Sequence, residues 1–252
     1  MEGHPLLDAH VHLDWAADPA QVAREAAEIG LGLICCTVGP GGYERARDAL
    51  AAYPNVAVAA GLHPWHVEGA DVGLAAECAR GSRFVGEVGL DFGARHARTR
   101  ELQLSAFSAI CEACAEEGGK VLSIHSVRAA GVALDVLART GALESCACVF
   151  HWFSGNSDEL RRAVDSGCWF SVGERMLATR RGREYARQVP ADRLLFETDL
   201  PEAPGQEISA ADIAASLGRA AAQVEAARGK PPTGTDTFLG TWWGAACHTH
   251  AG

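Results

Sequence analysis

Short apolar runs alternate with amphipathic helical stretches along the chain, and this alternation is the pattern of repeated βα units around a parallel sheet. Eight strands are expected: Leu6 to His10, Leu33 to Val38, Val56 to Leu62, Phe84 to Gly89, Val121 to His125, Cys148 to His151, Trp169 to Val172 and Leu194 to Glu197. Asp18 and Pro19 suit the cap and first turn of a helix running through Ile29, which Gly30 ends. Ser209 to Arg228 reads as the last long helix, Pro231-Pro232 as a break, Thr235 to Cys247 as a closing helix and His248 to Gly252 as a frayed end. A chain of 252 residues is long enough to enclose one such core. The expected fold is therefore an α/β, TIM-type (β/α)8 barrel, with residues 1–252 as a single domain.

Composition removes several classes. Hydrophobic residues make up 48% of the chain and both charge signs are interspersed, which fits neither a disordered nor a fibrous protein. The first residues carry neither a basic start nor an apolar stretch long enough for a signal peptide or membrane helix. Nine cysteines, an odd number scattered through apolar segments, suit reduced thiols better than a disulfide framework, so a cytoplasmic protein is expected. A net charge of −10 disfavours a broad basic surface for nucleic acid. It does not exclude a nuclease, because bound divalent ions add positive charge where the acids converge.

In barrels of this kind the reactive groups lie at the C-terminal ends of the strands. His10 and His12 leave the first strand one residue apart, so in extended chain both imidazoles point the same way, as a metal clamp requires. Glu87 lies in Gly86-Glu87-Val88-Gly89-Leu90-Asp91 on the fourth strand, where a buried carboxylate needs a positive partner. His125, His151 and Asp199 end the fifth, sixth and eighth strands. Any one buried histidine can be satisfied by core hydrogen bonds, but six such groups at one rim point to metal. One catalytic zinc usually takes about three protein ligands, so six suggest two divalent ions about 3.5 to 4 Å apart. The donor set suits zinc, manganese, magnesium or iron. A carbamylated lysine bridge has only Lys120 or Lys230 available. Lys120 starts a strand and Lys230 lies beyond the last, which leaves Glu87 as the bridge.

Together, Asp8-Ala9-His10-Val11-His12-Leu13-Asp14, Gly61-Leu62-His63-Pro64, Gly86 to Asp91, Ile124-His125-Ser126, His151 to Gly155 and Leu195 to Asp199 resemble the TatD family of metal-dependent hydrolases, part of the amidohydrolase-like barrels. The resemblance implies that His10, His12, Glu87 and Asp199 hold one metal, and Glu87, His125 and His151 the other. It places His63 near the substrate and implies phosphodiester hydrolysis, usually as a 3′ to 5′ DNA exonuclease acting on single strands or 3′ ends. Two departures stand out. Val127 occupies the position of a basic family residue, with Arg128 following, and Leu200-Pro201-Glu202 replaces the family's Ala-Pro-Tyr and its arginine-rich continuation. Gly118 to Ser126 and Gly167 to Val172 look like the TatD-type component of the Qat anti-phage system, which implies a defence role and protein partners.

The two ions would lower the pKa of a water between them and neutralise charge on the phosphoryl oxygens, with Asp199 orienting or deprotonating that water. Catalytic roles thus fall to Asp199, Glu87 and His63. Ser154-Gly155 either presents N–H groups to a phosphate or caps the next helix. Trp65 and Trp152 follow site motifs and either stack on bases or pack in the core, whereas Trp242 and Trp243 read as core. His66 and Glu174 can face the rim, and Arg95, Arg98 and Arg128 can reach phosphate or remain solvated. Cys111 and Cys114, with Cys146 and Cys148, read as packed thiols rather than a zinc site, and His248 with His250 as an adventitious pair. Two other readings stay open. One is an amide or ester hydrolase such as an aminoacyl-tRNA deacylase, and the other is a metal-binding subunit of a multi-protein complex.

Overall fold

The computed structural model describes residues 6–243. Eight strands occur in one sheet in chain order: β1 (Leu6–Val11), β2 (Leu31–Cys36), β3 (Val56–Leu62), β4 (Phe84–Asp91), β5 (Val121–Val127), β6 (Ala147–His151), β7 (Trp169–Val172) and β8 (Leu194–Phe196). The pairs β1/β2, β3/β4, β4/β5, β5/β6 and β7/β8 are parallel, as crossover helices require. Eleven helical segments fill the described connections and tail: α1 (Pro19–Glu28), α2 (Pro40–Leu50), α3 (Val72–Gly81), α4 (Arg100–Glu117), α5 (Ala130–Thr140), α6 (Ala142–Ser145), α7 (Ser157–Asp165), α8 (Glu174–Leu177), α9 (Arg180–Gln188), α10 (Ala210–Arg228) and α11 (Gly234–Phe238). None is long and apolar enough to cross a membrane.

The chain divides into two compact units. One takes the residues up to Cys35, Ala46–Val58 and the chain from Phe170 onward. Its core joins Val11 of β1 and Leu31, Leu33 and Cys35 of β2 to Val22, Ala23 and Ala26 of α1, Leu50 of α2, and Ile213 and Leu217 of α10. Helix α1 starts where expected because the Asp18 carboxylate accepts from Gln21 N at 2.9 Å and Pro19 occupies the first turn. Its apolar Val22, Ala23 and Ala26 fall at helical spacing and are all buried.

The other unit comprises Cys36–Arg45 and Ala59–Trp169. Here β4 is buried along its whole length, and α4 packs with α3 and α5. Lys120 immediately precedes β5, close to the expected strand start; its buried ammonium donates to Arg80 O and Ser82 O at 2.7 Å each, so it serves the strand's start and not the end that carries the candidate ligands.

Some expectations shift. The closing helix is split into α11 and a wider turn at Leu239–Trp243, and its remainder, with His248, His250 and the expected frayed end, lies outside the described residues. Trp242 and Trp243 are half-buried instead of core, with the Trp243 ring against Gly32. Eight described cysteines are free thiols, and burial pushes Cys114 up to about 12 and Cys111 and Cys148 well above the ordinary value. Such thiols are poor metal ligands, in keeping with the packed-thiol reading.

Candidate metal centre

In the unit containing β4 to β6, the residue that organises the chemistry is Glu87. The β4/β5 ladder changes register between Val85 and Val88, so Glu87 sits in an irregular stretch of strand. Thr37 holds that stretch: its N–H donates to Gly86 O at 2.9 Å, and its carbonyl accepts from Glu87 N at 2.8 Å. A Cβ on Gly89 would lie 2.1 Å from His125 O, so only glycine lets β4 and β5 approach this closely. The result is a buried carboxylate with Oε1 lying 2.7 Å from His125 Nδ1, 2.8 Å from His151 Nε2 and 3.2 Å from His63 Nε2.

This donor set fits a divalent ion. Ligand atoms around an ion with bonds of about 2.0–2.2 Å are roughly 2.8–3.1 Å apart at octahedral angles and roughly 3.3–3.6 Å apart at tetrahedral ones. His125 Nδ1 and His151 Nε2 are 3.4 Å apart, and Glu87 Oε1 is slightly nearer to each. His63, Glu87 and His125 also lie close enough together to hold an ion. His63 is nevertheless a donor by its local geometry. Trp65 N donates to His63 Nδ1 at 3.1 Å, so the neutral ring carries its proton on Nε2 and offers an N–H there instead of a lone pair.

Asp91 supports the cluster from the same strand. Its Oδ2 accepts the Trp65 indole N–H at 2.6 Å and lies 3.5 Å from His125 Nε2. Although burial works against it, hydrogen bonds with His125 and Trp65 hold this carboxyl well below the usual range. Burial likewise opposes the charge on His125, yet Asp91 and Glu87 raise its pKa. A carboxylate behind a histidine fixes the ring's orientation, which is the role of an outer partner in a metal site.

The other unit presents a second set. His10 and His12 on and after β1 have rings 5.1 Å apart, and Asp199 Oδ1 lies 3.3 Å from His12 Nε2 and 3.8 Å from His10 Nε2. Asp199 does not end β8 as expected: the strand stops at Phe196, one residue short of Glu197, and Asp199 lies three residues beyond it. Backbone bonds carry it to β1: Asp199 N donates to His10 O at 2.9 Å and His12 N to Leu200 O at 2.7 Å. Behind them, fully buried Asp8 accepts from His10 N and Thr198 N at 3.1 Å each and from Thr198 Oγ1 at 2.5 Å. Burial pushes Asp8 up to about 7, against the hydrogen bonds that favour its charged form. The His12 ring stacks on Trp15 at 4.5 Å, and Glu197, also buried, takes the Ser171 hydroxyl.

The chain matches the TatD-related DNase family over residues 7–236. It belongs to that family. Among similar proteins, the 3′-5′ ssDNA/RNA exonuclease TatD of Edwardsiella piscicida is 32% identical over 209 residues, covering 78% of this chain and 79% of that protein. The uncharacterized metal-dependent hydrolase YcfH of Escherichia coli K12 is 30% identical over 213 residues, covering 78% and 77%. The solved structure of YJJV, a TatD homolog from Escherichia coli K12, superposes with a TM-score of 0.78 at 22% identity, covering 94% of this chain and 98% of that one. This TatD-family chain is a metal-dependent hydrolase, and its fold is the expected TIM-type (β/α)8 barrel.

Other expected residues fall less centrally. Ser154 neither caps a helix nor starts one: its hydroxyl donates to Ser126 O at 3.0 Å, and α7 is capped by Asn156 in a reciprocal box with Glu159. Trp65 is 53% exposed and lies flat on His96, with ring centres 5.0 Å apart and planes within 9°, so it is not core. Trp152 is half-buried, and Arg128 and His66 are exposed. Arg98 pairs with Glu68, and Glu174 with Arg219 and Ser216.

Backbone strain marks the site in a way the sequence conceals. Among the described residues the non-glycine positive φ values belong to Arg128 (53°), Trp152 (39°) and Asp199 (58°), each just after a strand that carries a candidate ligand or at a candidate ligand itself. Such conformations cost about 1–3 kcal/mol each and collect at functional positions. The supporting contacts of Asp8 and Asp91 are likewise not evident from residue type, although both lie in the segments Asp8 to Asp14 and Gly86 to Asp91. Asp8 sits two residues before His10 on the same face of a strand, a spacing that could have found it.

Proposed function

We propose that this hydrolase cleaves phosphodiester bonds of single-stranded DNA from the 3′ end, using two divalent ions held by His10, His12, Glu87, His125, His151 and Asp199. The observation that carries the reading is the buried Glu87 oxygen with imidazole nitrogens of His125 and His151 within 2.8 Å, an arrangement of carboxylate and imidazole groups suited to a divalent cation. The substrate class is supported by the TatD relatives named as 3′-5′ ssDNA/RNA exonucleases. When bound, the ions supply Lewis acidity and an activated water. Zinc, manganese, magnesium and iron all match the donors.

The chain's own residues divide the remaining work. Asp199, with 23% of its side chain exposed, orients the attacking water or takes its proton. His63 offers its Nε2 proton to a phosphoryl oxygen. Asp91 fixes both His125 and the Trp65 indole, and Trp65 presents its exposed face to a terminal base. Trp152, Ser154 and Arg128 belong to the same rim of strand-end residues and contact the strand behind that base.

The test is to incubate metal-reconstituted protein with end-labelled single- and double-stranded DNA, RNA and aminoacyl-tRNA. The expected result is a stepwise ladder from the 3′ end of single-stranded DNA, absent with chelator and in Glu87→Ala. Release of an amino acid without nucleotide shortening would instead indicate a deacylase. Metal binding with no hydrolysis of any substrate would indicate a subunit of a larger complex. The anti-phage role and its protein partners are supported by the resemblance of Gly118 to Ser126 and Gly167 to Val172. They are tested by comparing phage protection in cells carrying the unaltered protein with that in cells carrying Glu87→Ala, where equal protection would contradict a hydrolytic role in defence.

A further inference from the structure

We infer that a cavity beside Asp199, lined by Arg175 and Arg219, seats a second phosphate of the nucleic-acid strand. The cavity measures about 240 Å³ and lies wholly within one unit. Its walls come from Glu174 and Arg175 after β7, Thr198 and Leu200 on either side of Asp199, and Ser216 and Arg219 of α10. It is smaller than the roughly 300–1,000 Å³ typical of drug-sized ligands, so it suits a phosphate with part of its sugar.

The chemistry of the lining favours an anion. Two carboxylates also face the cavity, but both are already engaged. Glu174 accepts from Arg219 Nε at 2.8 Å and from the Ser216 hydroxyl at 3.3 Å. Asp212 accepts from the backbone and hydroxyl of Ser209 at the start of α10. Arg219 uses Nε for Glu174, which leaves its two Nη groups as donors, and a guanidinium offers such donors in the fork that matches phosphate oxygens. Arg175 pairs with Glu202 at 3.1 Å through a contact that is about half exposed and exchanges readily in water. In a chain of net charge −10, the two guanidiniums balance Glu174 and Asp212 in the lining, so this cavity lacks the acidic excess that would repel a polyanion.

The inference rests on the proposed nucleic-acid substrate, and its test reads binding so that the two can fail separately. Metal-loaded protein is titrated against a fluorescein-labelled, hydrolysis-resistant phosphorothioate decathymidylate by anisotropy, across a range of salt. Arg219→Gln and Arg175→Gln, which lie on different helices, are each expected to raise Kd about tenfold and to lower the slope of log Kd against log salt by about one phosphate contact. Thermal melting checks that both variants remain folded. Arginine-dependent binding without any hydrolysis of ordinary DNA would leave the phosphate seat standing and overturn the exonuclease reading. Unchanged Kd and slope in both variants, or no binding by the unaltered protein, would overturn the seat itself.

Discussion

In the unit built on β4 to β6, one carboxylate oxygen, Glu87 Oε1, has three imidazole nitrogens within 3.2 Å; in the unit built on β1 and β8, Asp199 Oδ1 has two within 3.8 Å. The Glu87 side chain is 4% exposed and that of Asp199 23%. The first set is thus closed, with its carboxylate spent on holding neighbours, whereas the second leaves its carboxylate partly open to solvent. Their supports differ as well. Asp91 reaches its histidine through side-chain atoms, while Asp8 works on the backbone of His10 and Thr198. The difference bears on the proposed roles: a carboxylate enclosed by imidazoles suits holding a cation, and one partly open to solvent can hold a cation and still reach water.

The largest effect should come from the closed set. Glu87→Ala removes the oxygen shared by three histidines and is expected to lower turnover by about a thousandfold or more, measured as 3′-end release from labelled DNA. Turnover within tenfold of the original would break the comparison at its centre. Asp199→Asn keeps shape and an oxygen but loses the base, so kcat should fall about a hundred- to ten-thousandfold while metal stays bound. Metal loss in this variant equal to that in Glu87→Ala would mean that the two carboxylates are not different in kind.

A smaller effect separates the supports. Asp8→Ala leaves three buried donors, His10 N, Thr198 N and Thr198 Oγ1, without their acceptor, and should cost about 3 kcal/mol of stability by denaturant unfolding. An unchanged midpoint would show that Asp8 is not what ties β1 to the segment after β8. Smallest of all, Trp65→Ala should raise KM for single-stranded DNA about tenfold with little change in kcat, since one stacked base is worth about 1–3 kcal/mol. A fall in kcat instead would mean that the indole acts through Asp91 on His125.

Much of this was legible from residues alone, because strand-end chemistry repeats at the period of the fold. Each apolar run of four to eight residues predicts a strand, and His10, His125 and His151 lie on strands where expected. Asp18-Pro19 and Ser209 placed helix starts through local capping chemistry. What stayed hidden depends on contacts between distant segments. The proton position on His63 is set by the Trp65 backbone, the Trp65 ring meets His96 from a later segment, and Asp199 with its positive φ is held by its N–H on His10 O. Ser154 shows the limit of capping signals, since Asn156 with Glu159 three residues on outcompeted it.

The most direct measurement is anomalous X-ray scattering from crystals equilibrated with manganese or zinc. Two peaks per chain are predicted, one within about 2.0–2.3 Å of donors from Glu87, His125 and His151, and one at the same range from His10, His12 and Asp199. Ions bound elsewhere, or none beside Glu87 at saturating metal, would contradict the proposed centre.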